Sequence, residues 1–190
     1  EIARQTKNAG VAVVPTSALW KTLIGAGSLD DLNQYDELKY IRSEIVQSWR
    51  DRIGFLTEGD PQIHETNRLK LLKILQEEGV EILFGTDAPQ LFSVPGFSIH
   101  HEIDAMKEAG LTNRDVLISG TSAIGAYFED VDKFGTIAPD MRADLILLES
   151  NPLDDLDNLQ SPAGVMVRGI WLPRQEIEAE LAAIEARARP

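Results

Sequence analysis

The 190-residue chain reads as an α/β protein, and three features of its sequence say so. A unit of helix, glycine, apolar strand and polar loop occurs twice, over residues 1–16 and again over 67–88. Both strands, Val11-Ala12-Val13-Val14 and Val80-Glu81-Ile82-Leu83-Phe84, are nearly continuous apolar runs, as parallel strands covered on both faces require. The second strand runs into Gly85-Thr86-Asp87 and delivers a carboxylate to its carboxyl end, where barrels and open α/β sheets carry their chemistry.

Residues 1–9 form a helix stopped by Gly10, and residues 67–78 a helix stopped by Gly79, since glycine accepts the left-handed conformation that ends a helix. Between the units lie a Gly-rich polar loop, 16–33, and a helix over 36–52. On that helix Leu38, Ile41, Ile45 and Trp49 recur as one apolar stripe. A loop this long at a strand's carboxyl end is more often functional than idle. A second long loop, 88–97, carries Pro89, Pro95 and Gly96. A helix over 98–109 follows, closed by Gly110. Thr112 with Asp115 resembles a capping box, with Asp in place of the usual Glu, that opens a helix through 119, and 121–128 reads as one more short helix.

From Lys133 the pattern turns to β. Residues 135–137, 143–148 and 165–171 read as three strands, with a turn at 138–141. Residues 174–189 form a charged, Ala-rich helix with Ile177, Leu181 and Ile184 on one side. The expected organisation is an α/β part over 1–130, a partial β domain over 131–173 and a terminal helix over 174–190.

A net charge of −13 argues against nucleic acid, whose phosphates are bound through surplus Lys and Arg, and it repels anionic membrane surfaces. No run approaches the roughly 20 apolar residues of a membrane span. No signal peptide is visible, although a start at Glu1 leaves a removed leader open. Without cysteine, any metal must be held by His, carboxylate or water. The compartment stays open, with the cytoplasm slightly favoured. Two parallel strands cannot make a stable, doubly covered sheet, because the edges expose unpaired backbone. The chain is therefore expected to assemble, as a homo-oligomer or with another chain, or to be the carboxyl-terminal piece of a longer polypeptide. The non-Met start favours the second.

At Gly85-Thr86-Asp87 the chain resembles the carboxyl-terminal half of a metal-dependent amidohydrolase of the imidazolonepropionase- and prolidase-like branch. The strand ending in Asp87 is similar to the last barrel strand. Pro95-Gly96-Phe97-Ser98-Ile99-His100-His101-Glu102 through Thr112 resembles the helix that follows it, and Thr121 to Ala126 the family's T-x-x-x-A helix. Gly135-Thr136-Ile137-Ala138-Pro139, Ala143 to Leu148 and Asn151-Pro152-Leu153 resemble the hairpin leading into a β-sandwich. The resemblance implies the carboxyl-terminal part, strands seven and eight, of a (β/α)8 TIM barrel plus part of a small β-sandwich domain.

It also implies a small-molecule substrate and a divalent metal, zinc by default, as one or two ions, with manganese or iron as alternatives. The family's His-x-His pair, bridging lysine and single histidines would all precede Glu1, so a missing amino-terminal portion is the expected partner and this chain alone is expected to be inactive. Asp87 is implied as metal ligand and catalytic base, taking a proton from a metal-activated water that attacks the carbonyl carbon of an amide or cyclic amide. From position alone, an Asx-turn or helix N-cap explains Asp87 as well. Gly85 and Thr86 would shape its turn, with the Thr86 hydroxyl holding the carboxylate or simply closing the strand.

His100 matches a family histidine and is implied as a substrate contact; the bland alternative is a helix-start histidine on the surface. His100 and His101 point about 100° apart on a helix and do not share a metal. His64 beside Glu58 and Glu65 fits a solvated face, and Asp144 a structural role in a hairpin. Asp154, Asp155 and Asp157 lack the spacing of a calcium loop. Trp20, Phe92 and Phe97 either line the pocket or pack on neighbouring elements. Rival readings are a deaminase or ester hydrolase of the same fold, or a non-catalytic module that serves assembly or binding.

Overall fold

The computed structural model describes residues 1–53 and 59–188. Glu58 and Arg189 lie outside them. The architecture is mixed α/β. Helix α1 (Ile2–Asn8) ends at Gly10, whose φ of 65° is the left-handed turn expected there. The two apolar runs then meet in parallel at Val13 and Ile82: the Val13 amide donates to the Glu81 carbonyl and the Leu83 amide to the Val13 carbonyl, each at 2.9 Å. The pairing is a single bridge, not a ladder. Val80, Ile82 and Leu83 are buried, whereas Val11 and Val14 are half exposed, so the double coverage expected of both runs holds only for the second. At the carboxyl ends the runs crowd together. A Cβ on Gly85 would stand 2.6 Å from Val14 Cγ1, which is why glycine occupies that position.

Residues 16–33, expected as a loop, instead hold helices α2 (Ser17–Leu23) and α3 (Leu29–Leu32). The expected 36–52 helix is broken. A 3-10 helix over Asp36–Tyr40 gives way to extended backbone at Ile41 and Arg42, and α4 (Ser43–Arg50) starts afresh. The break shifts the helical phase, so Val46 and Trp49 are buried while Ile45 is exposed. Helix α5 (Pro61–Glu77) begins earlier than expected, because the Asp60 side chain caps the Gln62 amide at 2.9 Å and Pro61 sits in its first turn. Helix α6 (Ser98–Glu108) and Gly110 stand as expected, and the Thr112–Asp115 capping box opens α7 (Asn113–Gly120) with both of its hydrogen bonds made. Helix α8 (Ser122–Tyr127) follows.

Two apolar clusters organise these helices. One gathers Ala3, Leu69, Leu72, Leu75, Val80 and Ile82 with Ile103, Met106, Val116 and Leu156 of the later elements. The other gathers Leu19 of α2, Leu32 of α3, Val46 and Trp49 of α4, and Leu91, Phe92 and Val94 of the segment after Asp87. That segment is therefore core, although it has no regular structure.

Residues 135–137 are not a strand. Gly135 has φ 89° and lies against Gly125, where a Cβ on Gly125 would come within 2.1 Å of the Phe134 carbonyl oxygen. This backbone contact occupies the segment that the pattern assigned to a sheet. The strand expected over 143–148 is β1 (Leu145–Leu147). The strand expected over 165–171 is a hairpin, β2 (Gly164–Val167) and β3 (Ile170–Pro173), joined by Arg168 and Gly169 at φ 51° and 83°. Two consecutive positive φ values make a type I′ turn, whose twist suits antiparallel strands. The three strands form an antiparallel sheet in the order β1-β2-β3, and helix α9 (Arg174–Ala188) packs on β2 and β3. Asp144 is structural here: it accepts from the Arg168 amide at 2.7 Å and pairs with Arg142, which also pairs with Asp132. Among the described residues no helix is long and apolar enough to cross a membrane.

Gly125→Ala forces a methyl group onto the Phe134 carbonyl. Urea unfolding of the full-length protein should show a loss of about 1–3 kcal/mol, the range for overpacking a tight site. An unchanged midpoint would refute the close approach.

Candidate functional site

Asp87 closes the second core run, with its backbone in the left-handed region at φ 53° and its side chain exposed. Aspartate tolerates that conformation better than most residues. Gln90, three residues on, donates its side-chain amide to Asp87 Oδ2 at 2.7 Å and to the Asp87 carbonyl at 3.1 Å. Gln90 thus holds the carboxylate. The Thr86 hydroxyl does not; it accepts from the Ser98 hydroxyl at 3.1 Å, which ties the turn to the first residue of α6. Asp87 therefore presents a carboxylate with one oxygen tethered, at the carboxyl end of a core run, on a turn braced from behind.

The two histidines of α6 diverge as their spacing requires. His101 hydrogen-bonds Glu37 and stacks on Tyr35, with ring centroids 3.9 Å apart and 13° between planes. His100 is half-buried; burial and the neighbouring His101 lower its pKa, against the pull of Asp104, Glu37 and Asp157. His64 is exposed in the first turn of α5. Phe92 is buried against Trp49, Phe97 stacks on Tyr40 with centroids 5.0 Å apart, and Trp20 lies 4.7 Å under the Arg68 guanidinium. All three expected pocket aromatics therefore have packing partners. Asp155 caps its own short helix through the Asp157 amide, and Asp157 lies 3.9 Å from Lys107.

A cavity of about 280 Å³ lies between α2, α3 and α6, lined among others by Lys21, Asp31, Tyr35, His101, Asp104 and Glu108. None of its lining comes from the Asp87 turn, so it is separate from the candidate site. Among the described residues no three His, Asp or Glu side chains come together as a metal-binding group. Asp87 suits a divalent cation as a single oxygen donor, but a site needs three or four such ligands.

Sequence reasoning passed over Gln90, Ser98, Glu37 and Glu102. For Glu102 a signal existed: it interrupts the apolar stripe of Ile99, Ile103 and Met106, and it is fully buried. Glu37 carried no signal, because its partner is 64 residues away in sequence.

The sequence model of the amidohydrolase family matches residues 2–172. The chain belongs to the amidohydrolase family. No curated protein sequence matches it. Among solved structures, a bottromycin amidohydrolase superposes with TM-score 0.74 at 24% identity, over 94% of this chain and 40% of that one. A Xaa-Pro dipeptidase with methionine bound in its active site gives TM-score 0.60 at 19% identity, over 88% and 36%. A prolidase complexed with N-methylphosphonate-L-proline gives 0.53 at 20%, over 91% and 37%. At these identities the likeness shows the amidohydrolase fold, and the chain spans 36–40% of the length of these structures.

Burial alone would raise the Glu37 carboxyl, but hydrogen bonds from His101 and its own amide, with the charges of His101 and His100, bring it below its ordinary 4.5. A carboxyl lowered by folding stabilises the fold above its unfolded value and loses that contribution as pH falls through the folded one. Chemical denaturation across the acid range should therefore show stability falling below pH 4.5. The Glu37→Gln variant should show a flatter acid limb; identical limbs would remove Glu37 from the account.

Proposed function

We propose that this chain is the carboxyl-terminal part of a metal-dependent amidohydrolase that cleaves a C–N bond, in an amide or cyclic amide of a small molecule. On this reading residues 1–130 supply strands seven and eight of a (β/α)8 barrel, residues 131–173 part of a β-sandwich, and 174–190 a terminal helix. The observation that carries it is Asp87, an exposed carboxylate at the carboxyl end of a core run, within a family match over residues 2–172.

A bound divalent ion, zinc by default and one or two in number, lowers the pKa of water toward about 7 and polarises the substrate carbonyl. Asp87 would give one oxygen to such an ion. The rest of the ligand set comes from the amino-terminal portion of the same polypeptide. Asp87 takes the proton from the attacking water and returns it to the departing nitrogen, which turns a poor amide leaving group into a neutral amine. Gln90 orients the carboxylate through Oδ2. Residues 16–33 and 88–97 border the substrate, and His100 contacts it from the start of α6.

The names of the structural neighbours support this choice of bond. One is described as a bottromycin amidohydrolase, another as a Xaa-Pro dipeptidase, a third as a prolidase. A deaminase or ester hydrolase of the same fold would use the same carboxylate, and a panel of amides, cyclic amides, esters and amino-heterocycles separates them.

In the full-length protein, Asp87→Asn should lower kcat by about 10²–10⁴-fold, the usual worth of a general base, while the fold persists. Metal content by mass spectrometry should be about one or two ions per chain in the parent protein. A protein that holds no metal, or an Asp87→Asn variant as active as its parent, would sink the assignment.

A further inference from the structure

Helix α6 carries two buried polar side chains on one face, Ser98 and Glu102, separated by one helical turn. Ser98 gives its hydroxyl to Thr86, the residue before Asp87. Glu102 reaches the opposite way: its Oε2 accepts from the Ala18 amide at 2.8 Å, and the Ser17 amide also contributes. Ser17 and Ala18 are the first two residues of α2, which leaves the carboxyl end of the first core run through Thr16 at φ 45°. Helix α5 holds the same turn from another side, where Arg68 donates to the Pro15 carbonyl at 3.3 Å and covers the Trp20 ring. One face of α6 thus joins the starts of both segments that follow the core runs.

We propose that Glu102 is a positioning residue for the substrate-bordering segment 16–33: its carboxylate, anchored on α6 beside the Ser98–Thr86 contact, fixes the first turn of α2 relative to Asp87. The inference rests on the hydrolase reading for its kinetic arm only. Helix α2 has seven residues and no side-chain cap of its own at Thr16. A helix that short does not hold its place by propensity, and its leading amides need acceptors. Glu102 has no exposed surface, so the hydrogen bond is made out of water, where its loss leaves both groups unpaired.

What this role requires is reach rather than charge. Burial pushes the Glu102 carboxyl up toward its protonated form, against the lowering effect of the Ala18 and Ser17 amides and Arg68. Its second oxygen, Oε1, has no hydrogen-bond partner among the described residues. Glutamine matches the shape and length of the glutamate side chain and keeps an oxygen for the Ala18 amide. Aspartate keeps a carboxylate but withdraws it by one methylene.

The test compares Glu102→Gln, Glu102→Asp and Glu102→Leu in the full-length protein. Three readouts apply: amide hydrogen exchange over residues 17–22, metal content, and kcat and KM on the best amide substrate. The Gln variant should match its parent. The Asp and Leu variants should exchange about tenfold faster at 17–22 and raise KM by about tenfold, with metal content unchanged and kcat within about threefold, the effect of one lost buried hydrogen bond. If Asp behaves as the parent and Gln fails, charge matters and reach does not, and the proposal is overturned. The same holds if Leu changes neither exchange nor KM, or if all three variants lose protection throughout the protein. If the parent hydrolyses no C–N bond, the hydrolase reading fails, and the exchange pattern of the three variants still decides whether Glu102 holds α2.

Discussion

A carboxylate shut off from water has to be given hydrogen bonds, and where Glu102 finds them decides where the chain turns after its first core run. Leaving such a group without partners costs several times the worth of an ordinary surface contact. The Ala18 amide meets that need at Oε2. It is itself an orphan donor, because the first four amides of any helix lack intrahelical acceptors. Glu102 Oε2 and the Ala18 amide thus each supply the partner that the other lacks, while Oε1 stays without one among the described residues. The pairing needs α6 to be seated first, and α6 is seated by Ile103, Ala105 and Met106 in the apolar interior. Hydrophobic packing thus places the acid, and the acid places the helix.

The same dependence explains how two core runs joined by a single bridge come to have defined ends. A lone parallel bridge supplies little cooperativity, and each run keeps an edge without a ladder. Order at their carboxyl ends comes from behind: Gly85 lets the second run approach Val14, Ser98 holds Thr86, and Arg68 holds Pro15. The segment after Asp87 is anchored through Leu91, Phe92 and Val94, which sit in the second apolar cluster with Trp49. The left-handed residues Asp87, Leu91 and Phe92 therefore stand on a packed base. Backbone conformations that cost energy persist where the surroundings determine them this firmly.

Legibility followed the range of the interactions. Stops at Gly10, Gly79 and Gly110, and the Thr112–Asp115 box, are written within a few residues and were readable to the residue. The Gly85-Thr86-Asp87 turn was readable for the same reason, as was the divergence of His100 and His101. Helix α2 was not, because Gly25 and Gly27 close behind it made the whole stretch read as a loop, and the acceptor of its Ala18 amide lies 84 residues away. The break at Ile41 was hidden by a stripe with good helical spacing, which tertiary packing of Val46 and Trp49 overrode. The Arg168-Gly169 hairpin was read as continuous strand, since a two-residue turn with arginine at its first position lacks the usual Asn-Gly or Asp-Gly signature. Around Asp87 the contacts were not legible: Gln90 is a near neighbour whose role depends on the turn, and Ser98 acts across space.

The arrangement separates the hold on Asp87 from the hold on the segment after the first core run. Asp87 depends on its own turn and on Gln90, a local device within four residues. The segment that leaves the first core run depends instead on Glu102 and Arg68, delivered by two other helices. The two dependences meet only on α6, where Ser98 and Glu102 stand one turn apart. A change in residues 18–33 that leaves the Ala18 amide in place alters that segment without touching the Gln90 contact that holds the Asp87 carboxylate. A change at the Asp87 turn alters the exposed carboxylate without touching the contacts of Ala18 and Pro15. In this chain the separation is physical: a buried acid on one helix face, with a hydroxyl beside it, serves two rims through two independent hydrogen bonds.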